Sequence, residues 1–257
     1  VDDDFAISVN DLKKIETMEV ANINNSDITL IRSEFESKLL EDNFLINKSK
    51  ILNLSLLYDA PQKYSKFNKT EGIVFVANFN HLPNIDALNF YIDDIYKHLS
   101  VRIKNVNFYI VGRRGKHLFS NKVSHLSSKF IFLDFIDDIS EFLQGRRLNI
   151  APLKYGAGIK GKIAQAFVCG LPTVSTDIGF EGMSQKVTKQ MLANTPADFA
   201  RKMDEIYFST LKWKKSQKDI INYSKIWTLM ENYKLVHSAF SKKGVTLNKK
   251  YQDVKLL

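Results

Sequence analysis

Two lysines open an apolar helical pattern directly after a loop with two glycines, in the run Gly156-Ala157-Gly158-Ile159-Lys160-Gly161-Lys162. The apolar stretch Leu148 to Leu153 before them reads as a buried strand. The helix ends at Gly170-Leu171-Pro172, where another strand begins at once. A helix start offers unpaired backbone N–H groups and the positive end of a dipole, so such a junction favours phosphate. Gly156 and Gly158 let the backbone come close to a ligand, and Lys160 and Lys162 add positive charge. The chemistry indicated is the cradling of a diphosphate. Other reactive groups are sparse. The five histidines (81, 98, 117, 125 and 237) have no tight metal-ligand spacing, and no metal is expected. Cys169 is the single cysteine, which excludes a disulfide within the chain and fits a reducing compartment. It falls in an apolar helix pattern and reads as a packed thiol.

The elements that must position this loop alternate strand and helix from Glu71 onward. Strand-like runs are Ile73 to Ala77, Val106 to Val111, Phe130 to Leu133, Leu148 to Leu153 and Thr173 to Ser175. They are short and nearly continuous in apolar residues, as strands buried on both faces are. Between the first two, a helix capped by Asn84 carries Leu88, Tyr91, Ile92, Ile95 and Leu99 on one face. A shorter helix follows Asp138, with Ile139, Phe142 and Leu143 inward. This alternation predicts an α/β fold with a doubly wound parallel sheet, whose ligands bind at the carboxyl ends of the strands. Beyond Ser175 the chain becomes helical. Thr195 caps a helix with Pro196 and Asp198 in its first turn, and one or two helices span Leu211 to Phe240. Trp213, Ile220, Trp227, Met230 and Tyr233 anchor these helices, the tryptophans as core residues.

The first part of the chain reads differently. A helix from Asn10 to Val20, a strand at Asp27 to Ile31, a capping box at Ser33-Glu34-Phe35-Glu36 with its helix, and a strand at Lys50 to Leu56 form one strand-helix-strand unit. Two parallel strands cannot bury both faces, so 1–57 reads as the end of a first α/β domain whose beginning is absent. The expected division is that piece, a linker over 58–70, a ligand domain over 71–210, helices over 211–240 that pack back on the domains, and a basic tail over 241–257.

Composition narrows the function classes. The 257 residues are 44% apolar and 25% charged, and no apolar run approaches a membrane span. The start, V-D-D-D-F-A, has neither a secretory signal nor an initiator Met, so the chain is processed or is an excerpt. The net charge of +9 is uneven: residues 1–57 carry −5, residues 58–204 carry +7 and residues 205–257 carry +7. A dinucleotide oxidoreductase would place G-x-G-x-x-G after the first strand, where Asn78-Phe79-Asn80-His81 stands. Nucleic-acid binding rests on charge without a motif, and no nucleic-acid partner is expected. The run Lys212-Trp213-Lys214-Lys215 is the candidate for contact with an anionic membrane face.

Residues 71–183 resemble the C-terminal, donor-binding domain of the retaining GT-B glycosyltransferases of group 1. The resemblance is carried, in order, by Phe75-Val76-Ala77-Asn78 with Pro83-Asn84-Ile85-Asp86-Ala87-Leu88, by Phe108-Tyr109-Ile110-Val111-Gly112, and by Leu133-Asp134-Phe135-Ile136-Asp137-Asp138. Ile150-Ala151-Pro152-Leu153 with the loop from Gly156 to Lys162, Ala166-Phe167-Val168-Cys169-Gly170-Leu171-Pro172 and Ile178-Gly179-Phe180-Glu181-Gly182-Met183 complete the set. Asp27-Ile28-Thr29-Leu30-Ile31 with Ser33 and Glu36 is similar to the end of the family's N-terminal domain.

The resemblance implies transfer of a sugar, with retention, from a nucleotide-sugar donor to a hydroxyl of a glycan, glycolipid or protein acceptor. It implies bacterial polysaccharide or glycoconjugate synthesis in the cytoplasm, with the inner membrane face as a candidate site, and no cofactor or metal. Gly156, the amides of Gly158, Ile159 and Lys160, and the side chains of Lys160 and Lys162 would hold the diphosphate and stabilise it as it leaves. Gly112, Arg113, Phe135 and Ile136 would lie along the nucleotide, and Glu181 near the sugar. Two departures stand out. Gln165 occupies the place of a ribose-binding Glu, and the loop after the first strand lacks the family's arginine-lysine pair, leaving Arg113 and Arg114 as candidates for that charge. A non-catalytic nucleotide-sugar-binding or interaction module is the alternative these departures leave open.

Overall fold

The computed structural model describes residues 8–242 apart from Ser33 and Ser55. The chain divides into two compact units, one of Val1–Ser55 with Asn232–Leu257 and one of Leu56–Glu231. In the first, α1 (Val9–Asn25) is capped by Ser8, whose hydroxyl accepts from Asp11 N at 3.1 Å. Strand β1 (Thr29–Ile31), helix α2 (Glu34–Phe44) and strand β2 (Ile51–Asn53) follow, and the strands pair in parallel with Thr29 opposite Ile51. This is the strand-helix-strand unit the sequence indicated. Ser33, from the expected capping box, and the tail beyond Lys242 lie outside the described residues. With only two strands, apolar side chains stay in water: Leu12, Ile15, Leu30 and Phe35 are all more than half exposed.

The second unit begins with β3 (Glu71–Val76), α3 (Leu82–Phe90) and α4 (Val101–Lys104), then β4 (Phe108–Val111), α5 (Gly115–Val123), β5 (Phe130–Leu133) and α6 (Ile139–Gln144). It continues with β6 (Arg146–Ala151), α7 (Gly161–Val168), β7 (Thr173–Ser175), α8 (Gln185–Thr188), α9 (Pro196–Phe208) and α10 (Thr210–Ser224), while α11 (Leu229–Lys242) belongs from Asn232 onward to the first unit. All five strands are parallel, in the order β5-β4-β3-β6-β7. The chain winds outward from β3 to β5 and then returns to the other side of β3. The strand order therefore reverses between β3 and β6, and that switch point opens a crevice at their carboxyl ends. Successive residues of β3 alternate faces: Ile73 and Phe75 pack with Leu88, Ile110 and Phe119 on one side, Val74 with Val111, Ala166 and Cys169 on the other. This is the two-sided burial that made the strands read as continuous apolar runs.

Two expectations need correction. Asn84 does not cap its helix. The N-cap is His81, and Asn84 lies in the first turn, because Pro83 is preorganised for a helix start and sets the beginning earlier. The helix also stops being α-helical at Tyr91, passing through a π-helical turn at Tyr91–Ile95 and a 3₁₀ turn at Tyr96–His98. Leu88, Tyr91, Ile92, Ile95 and Leu99 are nonetheless all buried. Thr195 caps α9, as read from sequence, and the helix expected after Asp138 is α6, with Asp138 as its N-cap. Trp213 and Trp227 are core residues, and Trp213 Nε1 donates to Arg147 O at 2.7 Å. The Lys212–Lys215 run thus turns its aromatic inward, and Lys212 pairs with Glu205 at 2.8 Å. The Met230 side chain lies outside the described residues. Among the described residues no helix is long and apolar enough to cross a membrane.

Candidate functional site

The residues singled out from sequence follow the carboxyl ends of β3 to β7, so the parallel sheet brings them to one edge. Their centre is the loop between β6 and α7. Gly156 and Gly158 have φ of +116° and +76°, values that favour glycine, and a Cβ on Gly158 would meet nothing within 4 Å. The Gly158 backbone is therefore open to a ligand. Lys160 is the N-cap of α7, with extended backbone and no side-chain cap, so the first amides of the helix are not spent on a capping side chain. Its ammonium folds over the loop and donates to Gly156 O at 2.9 Å, Gly158 O at 2.5 Å and Glu181 Oε2 at 3.1 Å. Glu181 comes from the turns after β7, and that contact places it beside the cradle.

Lys162, one residue inside α7, is half-buried. Its ammonium donates to Asn84 Oδ1 at 2.7 Å and lies 4.8 Å from the Phe75 ring centroid. Burial, reinforced by the nearby positive charge of Lys160, pulls its pKa down to about 7. Gln165 sits one turn further along α7, three residues after Lys162 and so on the same side of the helix. The far end of the loop is fixed by buried bonds: Ser175 Oγ donates to Ala151 O at 2.6 Å and Thr176 Oγ1 to Leu153 O at 2.5 Å.

The other candidates lie along the same edge. Gly112 has φ of +147°, and a Cβ there would fall 1.8 Å from Ala77 O. The ends of β3 and β4 therefore demand this glycine whatever the ligand. Arg113 places its guanidinium 5.6 Å from the centroid of Phe135, which is 67% exposed. An uncovered aromatic face beside a cation suits a nucleobase. Ile136, in contrast, packs against the core cluster that holds Val74 and Leu143. Arg114 is left-handed at φ +70°, stands at the N-cap position of α5 without capping it through its side chain, and donates from Nη1 to Asn80 Oδ1 at 2.8 Å. A guanidinium from the β4 loop is thereby tied to the β3 loop, which has no basic residue except His81. Sequence reasoning did not foresee Asn80 and Asn84 in these contacts, because an asparagine near a helix start reads first as a cap or a turn. Among the described residues no group of three or more His, Cys, Asp or Glu is placed to hold a metal. Cys169 is buried, and its thiol pKa is pushed up to about 11 by that burial.

Comparison with solved structures finds this fold repeatedly. A point mutant of S. aureus TarM, in complex with fondaparinux, alpha-GlcNAc-glycerol and UDP, matches at 16% identity and TM-score 0.63 over 93% of this chain and 48% of its own. The pneumococcal O-GlcNAc transferase GtfA, in complex with UDP and GlcNAc, matches at 12% identity and TM-score 0.66 over 88% and 47%. Anabaena HepE, in complex with UDP and glucose, matches at 11% identity and TM-score 0.67 over 92% and 68%. The chain thus spans about half the length of TarM and GtfA. No curated protein matches the sequence. The family model described as "Glycosyl transferases group 1" matches residues 70–208, from just before β3 to the end of α9. That match covers more than half of the chain and every residue of the switch-point site, and the chain belongs to the group 1 glycosyltransferases.

Proposed function

We propose that the carboxyl edge of the five-stranded sheet binds the diphosphate of a nucleotide-sugar, and that this chain is the donor-binding part of a hexosyltransferase acting with retention. The carrying observation is the junction of β6 and α7 at the switch point: an open Gly158 backbone, a helix start without a side-chain cap, and two lysines. As the bond between anomeric carbon and diphosphate breaks, negative charge grows on the diphosphate. The α7 amides, Lys160 and Lys162 would meet that charge. In this reading no metal takes part, because helix starts and lysines supply the positive charge. Phe135 and Arg113 would face the base, Gln165 the ribose through a neutral amide, and Glu181 the sugar. Gly112 keeps the β4 end close to β3 beneath the nucleotide. The acceptor is a hydroxyl of a glycan, glycolipid or protein in polysaccharide or glycoconjugate synthesis, on the cytoplasmic side.

TarM, GtfA and HepE were each solved with UDP, which makes UDP the first ligand to try. The test is a thermal-shift panel of UDP, GDP, ADP, dTDP and CDP, with NAD as control. One diphosphate is expected to raise the melting temperature; a ligand at a hundred times its Kd stabilises by about 2.7 kcal/mol. Lys160→Ala with Lys162→Ala should abolish the shift. Unchanged affinity in that double variant would remove the site assignment. A second reading, a non-catalytic module, is favoured by Gln165, since a neutral amide grips a ribose more weakly than a carboxylate. Silence across the whole panel would support it.

A further inference from the structure

Among the polar side chains at the carboxyl edge, Asn84 joins two helix starts. Its Oδ1, in the first turn of α3, accepts from Lys162 Nζ in the first turn of α7 at 2.7 Å, across the point where the strand order reverses. The amide is itself oriented. Asn84 Nδ2 donates to Asn78 O at 2.8 Å, and Asn78 Oδ1 closes its own loop by accepting from Asn80 N at 3.0 Å. With the NH2 group engaged by a backbone carbonyl, the carbonyl oxygen is the end left to face the lysine. We infer that Asn84 is a positioning residue for the donor diphosphate, holding the Lys162 side chain at the switch point as its hydrogen-bond acceptor, where the arriving anion meets it. The inference rests on the donor reading above.

The surroundings make the role specific. No carboxylate within salt-bridge distance faces Lys162 among the described residues. Lys160 lies nearby and is paired with Glu181, while Asp86, further along α3, pairs with Lys154 at 3.3 Å. His81, at the start of α3, is exposed. The neutral Asn84 accepts a hydrogen bond without offsetting charge, so the balancing charge is left to a ligand. The lysine's free-state pKa of about 7 fits this arrangement. Above that pH the free site holds mostly neutral amine, and a diphosphate must bring a proton with it. Affinity should then fall as pH rises, and binding should take up a proton.

Calorimetry of UDP binding, or of the diphosphate selected by the panel, from pH 6.5 to 8.5 in buffers of different ionisation enthalpy tests this. The wild-type chain should lose about tenfold in affinity between pH 7 and 8.5, with proton uptake, a one-proton dependence. In Asn84→Asp a carboxylate beside Lys162 keeps it charged, so the pH dependence should flatten. Affinity at pH 6.5 should drop about tenfold, because that carboxylate competes with the diphosphate. In Asn84→Ala the ammonium loses its acceptor, so the inflection should move to lower pH and affinity at pH 7.5 should fall. A merely structural role would lower the melting temperature of both variants and leave the inflection unmoved, and that result overturns the inference. Should Asn84→Ala fail to fold, Asn84→Asp alone carries the test through its slope. If no nucleoside diphosphate binds the wild-type chain, the donor reading itself fails. If one binds with a pH dependence indifferent to these substitutions, only the inference fails.

Discussion

Helices α4, α6, α9 and α10 start differently from α3, α5 and α7. The first group begins at Ser100, Asp138, Thr195 and Ser209, each side chain accepting from the amide three residues on, at 3.0 to 3.3 Å. The second begins at His81, Arg114 and Lys160, with no side-chain cap. The one-turn α8, behind Ser184, also lacks one. The three longer uncapped helices follow β3, β4 and β6, the inner strands of the sheet, whereas α6 follows the edge strand β5 and is capped by Asp138. A missing cap costs about 1 kcal/mol, and a cation at a helix start opposes the dipole. Local rules of stability are thus set aside where the inner strands end, which is where a ligand in this fold would sit.

Lys160→Ser is the sharpest way to break this contrast. The backbone at position 160 is already extended, as a serine cap requires. The substitution should add a cap while removing a cation that the donor reading assigns to the diphosphate. Charge-assisted hydrogen bonds contribute about 1.5–3 kcal/mol, so diphosphate affinity should fall roughly ten- to a hundredfold. Stability of the free chain should hold or rise. Titration of the nucleotide beside urea denaturation reads both quantities. A variant that loses stability while keeping affinity would turn Lys160 into a structural residue.

Lys162→Met probes the cost of keeping a half-buried lysine at the same place. Unfolded, this lysine titrates near 10.5; folded, near 7. Between those values the unfolded chain holds one proton more, so wild-type stability should rise as pH climbs from about 7 towards 10. The penalty is fully present below pH 7. The methionine variant should lose that slope and be more stable at pH 7 by about 1–2 kcal/mol, a discounted figure because the side chain keeps some contact with water. Urea midpoints at pH 7 and pH 9.5 check it; parallel profiles for the two proteins would show that Lys162 does not titrate in this range.

Much of this contrast was legible in the sequence, and the illegible part has a physical cause. The parallel strands announced themselves because two-sided burial leaves nearly unbroken apolar runs, as in Phe130–Leu133. The Thr195 cap and the helix start after Asp138 were readable because their chemistry is local. Short α4 and α5 were not, since four residues carry no period and α5 starts from a left-handed Arg114 that nothing nearby signals. At the site, Gly158, Lys160 and Lys162 stood out because glycine and charge in one loop are unusual next to a buried strand. Asn84 was misread because the strand order brings it against Lys162, 78 positions away, and no local pattern encodes that meeting.

Thr195→Ala gives the smallest expected effect and the control for the whole comparison. Thr195 Oγ1 accepts from Asp198 N at 3.3 Å, and Pro196 already fixes the first turn of α9. Removing the hydroxyl should cost about 1 kcal/mol of stability and leave diphosphate affinity unchanged, since α9 does not follow one of the inner strands. The two helix starts would then respond in opposite senses: serine in place of Lys160 trades affinity for a cap, and alanine in place of Thr195 gives up a cap at no cost in affinity. If Thr195→Ala weakened nucleotide binding as much as Lys160→Ser does, both would be acting through global stability, and the uncapped helix starts would have no special tie to the donor.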